Sequence, residues 1–319
     1  MGFQLALFPG TPAGLAVTSE PAAADAEVHI ELAPTQQMGL FDAQVRQLRD
    51  ALEALAVADL PRARRLLEGV PSELDVSVPL LRVRVVELHD ELAGLEPRPP
   101  AARASAYVER GRQLVREGDP WSRLGRTLIT QAAAEVAGND EILAGRLFLE
   151  ANDPERAKSV LLGTRGPRDA ATLFALGDVE VARGDRSAAR QHYRDALLLD
   201  PFEDAFDRVA DEEVRALPSL AEFEVEIDCE PRAWCGAVGI VAGILPRTLD
   251  LAGELPVPEG RAPAASSALV SARQFVDALV RASSRGVQRD REALLEARRA
   301  MKRACAPLFA WYMARLGTR

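Results

Sequence analysis

The chain has 319 residues, with 39 Lys+Arg against 48 Asp+Glu and a formal net charge of −9. Hydrophobic residues make up 48% and charged residues 27%. That balance belongs to an ordinary globular protein able to bury a sizeable core, and it argues against global disorder and against a wholly cationic nucleic-acid binder. No apolar run reaches the roughly 18–20 residues a membrane-spanning helix needs. The opening Met1-Gly2-Phe3-Gln4-Leu5 has no basic n-region, and its apolar run stops at Pro9. Neither a membrane span nor a secretory signal is expected, and the cytoplasm is the expected compartment.

Residues 1–41 contain no Lys or Arg, and 9–36 are rich in Ala, Pro, Gly, Thr and Ser. Such a composition buries too little surface to order itself, so a flexible tail is expected over 1–41. Two matching pentapeptides stand at its ends, Gln4-Leu5-Ala6-Leu7-Phe8 and Gln37-Met38-Gly39-Leu40-Phe41. Both fit Q-[LM]-small-L-F, and both resemble the peptide by which bacterial polymerases and repair proteins dock on the replicative sliding clamp. The resemblance implies that Leu7-Phe8 and Leu40-Phe41 fill the main pocket of such a clamp. Leu5 and Met38 would contact its neighbour, and Gln4 and Gln37 would hydrogen-bond at the rim. The alternative is that both peptides fold back as apolar anchors. For the second copy, Asp42 can cap the first helix, with Phe41 as a hydrophobic staple.

From 42 to 215 the sequence reads as a stack of α-hairpins. The clearest unit runs from about Ala171 to Pro201. Leu173, Leu176, Gly177, Ala189, Tyr193, Ala196 and Pro201 fall on the spacing W-x2-L-G-x2-Y…A-x3-F…P, so this segment resembles a tetratricopeptide (TPR) repeat. Leu173 replaces the aromatic of that pattern, and Glu180 stands where it has Tyr. Small residues at Gly177 and Ala189 allow two helices to approach closely, Gly184-Asp185 turns the chain, and Pro201 ends the second helix. Gly145, Ala157 and Leu161 repeat this spacing around Asn152-Asp153-Pro154, and Ala51, Ala63 and Leu67 repeat it more faintly around Asp59-Leu60-Pro61. Between these lie helical patterns over 78–95, 104–116 and 121–136. The resemblance implies a partner groove lined by the first helix of each hairpin, with Phe174, Asp178 and Val181 facing it.

Residues 216–319 are expected to form a helical C-terminal cap on the stack. Phe223–Asp228 alternates like a short strand, Trp234–Leu245 reads as a buried helix, and 246–265 as a Pro- and Gly-rich linker. Two long helices follow, about Ala268–Ser283 and Arg289–Leu316, the second broken near Pro307. Arg291, Arg298 and Lys302 share one helical stripe, with Arg299 and Arg303 beside it. This basic end is either an anion-binding edge, for nucleic acid or an acidic partner, or a solvated face set against the acidic body.

Catalytic chemistry has little to stand on. Cys229, Cys235 and Cys305 form no C-x-x-C, and the three histidines, His29, His89 and His192, offer no zinc spacing. Trp234-Cys235-Gly236 resembles the start of a thioredoxin-type motif without its second Cys. His89-Asp90 resembles the metal-binding dipeptide of HD phosphohydrolases without enough partner histidines. Lys158 and Lys302 are the only lysines and neither follows a Gly, so no P-loop is possible. The expectation is an all-α protein with a TPR-like solenoid, no metal or cofactor, and a non-enzymatic role as a protein–protein adaptor. The runner-up is a replication- or repair-associated factor tethered to the bacterial sliding clamp.

Overall fold

The computed structural model describes residues 34–163, 169–247, 260 and 262–317. Gln4, Leu5, Leu7, Phe8 and His29 lie outside the described residues. The chain divides into two compact units, Met1–Ala43 and Gln44–Arg319. Helix α1 runs Pro34–Ala56, so Gln37, Met38, Leu40 and Phe41 stand within a helix rather than in an extended peptide. Asp42 is interior to α1 and is not its cap. A proline suits the first helical position, where its missing N–H leaves no bond unmade.

The second unit is built from consecutive helices: α2 (Leu60–Glu68), α3 (Val78–Ala93), α4 (Pro100–Glu117), α5 (Trp121–Val136), α6 (Glu141–Glu150), α7 (Pro154–Leu162), α8 (Ala170–Ala182) and α9 (Arg186–Leu199). The short α10 (Glu212–Arg215) and α11 (Leu217–Ser219) lead to α12 (Cys235–Ala242), α13 (Pro263–Ser283), α14 (Arg285–Arg289), α15 (Arg291–Ala304) and α16 (Ala306–Gly317). Among the described residues every regular element is helical, and no strand forms. The alternation at Phe223–Asp228 is real in burial, since Val225 and Ile227 are buried and Phe223 is exposed. Its backbone, however, closes a wide helical turn through Val225 N–H to the Leu220 carbonyl at 3.1 Å. No neighbouring strand is present among the described residues to pair with it.

One turn is used three times. Ala58, Asn152 and Gly184 adopt left-handed φ of 63°, 64° and 83°. The next residue is Asp each time, and its N–H reaches back to Ala54 (2.9 Å), Phe148 (2.8 Å) and Glu180 (2.8 Å). This left-handed C-cap satisfies carbonyls that the helix end would otherwise leave bare. The same Asp59, Asp153 and Asp185 then cap the following helix, accepting from Arg62, Arg156 and Ala188 N–H at 3.1, 3.1 and 2.9 Å. Each such cap contributes about 1 kcal/mol. The turns join α1 to α2, α6 to α7 and α8 to α9.

A second feature recurs inside the hairpins. A Cβ added at Gly145 would stand 2.7 Å from Leu161 Cγ, and one at Gly177 would run into the Tyr193 ring. A Cβ at Gly111 would stand 2.7 Å from Ile129 Cγ1. Three hairpins therefore share one device, a glycine on the first helix cradling a large side chain from the second. Three cores follow one another along the chain. The first joins α1–α3 with Leu114, Leu124 and Leu128. The second joins Ile129 and Ala133 to α6, α7 and Leu176. The third starts at Ala170 on α8 and runs to Tyr312 on α16. Helices α5 and α8 each serve two cores, and the third core takes residues from both sides of position 215.

In the C-terminal part, α12 is buried along Cys235–Val241, as its apolar sequence requires. The break near Pro307 falls at Cys305, whose extended backbone (φ −154°, ψ 107°) separates α15 from α16. A proline two residues further on cannot continue a helix that has lost its ladder.

Candidate interaction groove

Helix α3 is apolar on more than one side, a pattern that a helix resting on a single core does not need. Its inner face is set by Val78, Leu81, Val85 and Leu88, all buried. Arg82 fixes its rotation by donating to the Leu67 carbonyl at 2.9 Å and to the Val70 carbonyl just beyond α2. What remains faces outward. Val76, just before the helix, is 92% exposed, Leu80 74% and Val83 59%. Leu80 and Val83, three residues apart, form a line along α3, which continues into exposed Glu87 and Asp90 and is preceded by Val76 in the turn before the helix.

At the Asp90 end of this line a recess opens between the last turn of α3 and the middle of α4. The two helices are joined by ion pairs rather than by close backbone packing. Arg84 reaches Glu117 at 3.2 Å and Glu87 at 3.3 Å, and Glu91 meets Arg110 at 2.9 Å. The recess holds about 490 Å³ and is lined by Asp90, Glu91, Leu95, Arg98, Arg110 and Gln113, among others. Arg110 is only 9% exposed, and although it donates to Gln113 at 2.7 Å, its Nε has no hydrogen-bond partner. A second recess, of about 570 Å³, includes Glu96, Arg103, Tyr107 and Glu135 in its lining. Burial, and then the nearby Glu135 carboxylate, push the Tyr107 hydroxyl above its ordinary range. Arg103 bridges this second recess by pairing with Glu135 at 2.7 Å and donating to the Glu96 carbonyl.

The residues expected to face a groove in the best hairpin are placed differently. Phe174 is fully buried and stacked on Phe206, with ring centres 5.7 Å apart. Asp178 accepts from the Tyr193 hydroxyl at 2.6 Å and from Ala210 N–H at 2.8 Å, so its Oδ1 is already engaged within the chain. Val181 is half-buried against the same core. The cause is the segment after α9, which crosses this face. Asp211 pairs with Arg190 at 3.0 Å, and Arg232 donates to the Pro201 and Glu203 carbonyls. Burial holds the Asp178 carboxyl above the usual carboxylate range, against the opposing hydrogen bonds from Tyr193 and Ala210.

Arg291, Arg299, Lys302 and Arg303 are exposed on α15, and Arg298 is half-buried there. His89 and His192 lie on α3 and α9. Among the described residues no group of three or more His, Cys, Asp or Glu is placed to hold a metal ion, and no helix is long and apolar enough to cross a membrane. Burial drives the Cys235 thiol well above its ordinary range, leaving it a weakly ionising core residue.

Comparison with protein families, curated proteins and solved structures gives no match to this chain.

Proposed function

We propose that this protein is an interaction adaptor built on TPR-like α-hairpins, and that it engages partners along the line Val76–Leu80–Val83 and the adjoining α3–α4 recess. The observation that carries the reading is the exposure of two aligned apolar side chains, Leu80 and Val83, on a helix whose opposite face is already satisfied, with exposed Val76 just before it. Solvent-facing apolar side chains gathered in a line mark interaction sites more often than scattered single ones. The TPR-like character is supported by the repeated glycine cradle, the repeated Asp turn and the contact of α6 with α8 across a hairpin.

The partner is an amphipathic segment. Its apolar residues would cover Leu80 and Val83, and basic residues on its flank would face Glu87, Asp90 and Glu109. A photo-crosslinking residue at Val76, 92% exposed, is expected to capture one partner, and Leu80→Glu with Val83→Glu to prevent that capture without loss of fold. Capture that is indifferent to those changes but lost on altering Phe223 would overturn the assignment.

A narrower reading rests on Gln4-Leu5-Ala6-Leu7-Phe8, which fits the clamp-docking pattern. With Gln37–Phe41 in helix α1, the first peptide is the one whose extended docking remains open to test.

A further inference from the structure

We propose that the outer face of α14 and α15 binds the phosphate backbone of duplex nucleic acid without reading sequence. Arg291, Arg299, Lys302 and Arg303 are exposed on α15, and Arg285 and Arg289 are exposed on α14. Arg298 lies in line with Arg291 and Lys302, and its Nε has no hydrogen-bond partner. Among the described residues, none of these seven cations has an ion-pair partner. Some arginines elsewhere are drawn into pairs, as in Arg112–Glu150, Arg183–Glu180 and Arg190–Asp211, and others such as Arg62 and Arg186 are not, among the described residues; what sets this region apart is that its unpaired cations are gathered on two consecutive helices. The basic end is therefore not neutralised by the acidic body. Arg298 with Lys302, and Arg299 with Arg303, stand four residues apart, where like charges repel each other. An anionic ligand relieves that repulsion.

The form of the face selects the ligand. From Arg291 to Arg303 it extends roughly 18 Å at about 1.5 Å per residue, a track rather than a point. Duplex DNA offers about one charge per 1.7 Å of axis along such a track. A membrane is disfavoured because the apolar side of α15 is already used: Ala297 and Met301 are buried in the core shared with Leu308 and Tyr312. An acidic protein partner would need apolar anchors, and Leu295 is the one large apolar side chain of α15 that is exposed. Single strands are held largely by stacking on aromatic rings, whereas Trp311 on α16 already carries Arg315 at 3.9 Å. Duplex backbone contact needs none of these.

The test uses the full chain and a mixed-sequence 20-base-pair duplex, followed by fluorescence anisotropy from 50 to 200 mM salt. Wild type is expected to bind, with log K falling linearly against log salt. Arg291→Gln, Arg299→Gln, Lys302→Gln and Arg303→Gln combined should flatten that slope by roughly 3.6 units, at about 0.9 per lost contact, and weaken binding at 50 mM by on the order of tenfold or more. Arg299→Gln with Arg303→Gln alone, which keeps the Arg291–Arg298–Lys302 stripe intact, should give an intermediate slope. It serves if the fourfold variant melts early. A control that removes four exposed arginines elsewhere (Arg62, Arg116, Arg123 and Arg186, each to Gln) should keep the wild-type slope. The proposal is overturned by absence of duplex binding at 50 mM salt, by an unchanged slope in the fourfold variant, or by an equal loss in the control. Tighter binding to anionic vesicles, poly-glutamate or single strands than to the duplex would overturn it as well.

Discussion

Replacing Gly111 with Ala tests how closely α4 and α5 meet. In an open helix interior Gly→Ala stabilises by about 0.5–1 kcal/mol, because it removes backbone freedom from the unfolded chain. At Gly111 the new Cβ would stand 2.7 Å from the Gly125 carbonyl oxygen and 2.7 Å from Ile129 Cγ1. The first of these atoms is helix backbone, and the second belongs to a side chain with no exposed surface. Neither can give way locally, so the helices must part by roughly 0.5–1 Å, a gap that forfeits a quarter to a half of the contact energy along the seam. Leu114, Leu124 and Leu128 share that seam. The net cost should be about 1–3 kcal/mol. Gly125→Ala asks for the same separation from the other side, since its Cβ would stand 2.5 Å from the Gly111 carbonyl. The double variant should therefore cost less than the sum of the two by about 0.5 kcal/mol or more. A Cβ added at Gly286 on α14 would meet no atom within 4 Å, and its change to Ala should raise stability slightly. Urea unfolding followed by helical circular dichroism measures all four. A Gly111→Ala variant as stable as wild type, or strict additivity in the pair, would refute the close crossing.

Leu80→Glu with Val83→Glu should leave the melting temperature within about 2 °C of wild type, since both side chains are more than half exposed, while abolishing crosslinked partner at Val76; a large drop in melting temperature would show α3 to be packed instead. Asp178 has its carboxyl raised by burial, so its charge costs stability as pH rises through that raised value, and the cost vanishes below the ordinary value of 3.8. Asp178→Asn retains an acceptor for Tyr193 and Ala210 and should melt higher than wild type at pH 7, with the difference closing below about pH 4. Asp178→Ala strips the acceptor from a buried hydroxyl and should cost about 1–3 kcal/mol at either pH. Leu7→Ala with Phe8→Ala should abolish binding to a purified bacterial sliding clamp at unchanged melting temperature; stability lost without any clamp binding by wild type would identify the peptide as an internal anchor.

The hairpins legible in the sequence are those whose small residues keep a fixed distance. Gly145 with Ala157 and Gly177 with Ala189 stand twelve apart, and their knobs Leu161 and Tyr193 sit where that spacing puts them. The α4–α5 hairpin uses the same cradle but places Gly111 fourteen residues from Gly125 and eighteen from Ile129, so the shorter period does not reveal it. The start of α1 is hidden because Asp42 is a good cap and the preceding composition is poor in core residues, yet helical backbone begins at Pro34. At Phe223–Asp228 the period-two pattern reflects true burial, but alternation in side chains does not supply a neighbouring strand for the backbone. The exposed line on α3 leaves a readable trace. From Val78 to Leu88 apolar residues outnumber what one buried face can use, and a helix that is apolar on two sides has to present one of them to something else.

That excess also bears on where an interaction surface can lie in this stack. The hairpin with the best repeat spacing, α8–α9, has its Phe174 and Asp178 covered by the chain itself. Phe206 stacks on Phe174, Arg232 lies 5.2 Å above the Phe206 ring, and Arg232 pairs with Asp207 at 2.9 Å. Arg190, which reaches both Asp211 and Glu213, ties down the far end of the same segment. Opening this face would expose Phe174 and Phe206 together and take from the buried Asp178 carboxylate its bond from Ala210 N–H, at about 1–3 kcal/mol for a hydrogen bond to a charged group. A partner binding there would have to overcome those losses before making any contact of its own. On α3 nothing has to move, because Leu80 and Val83 are already exposed. The hairpin α8–α9 is thus closed by the chain that follows it, and α3 carries the accessible apolar side chains.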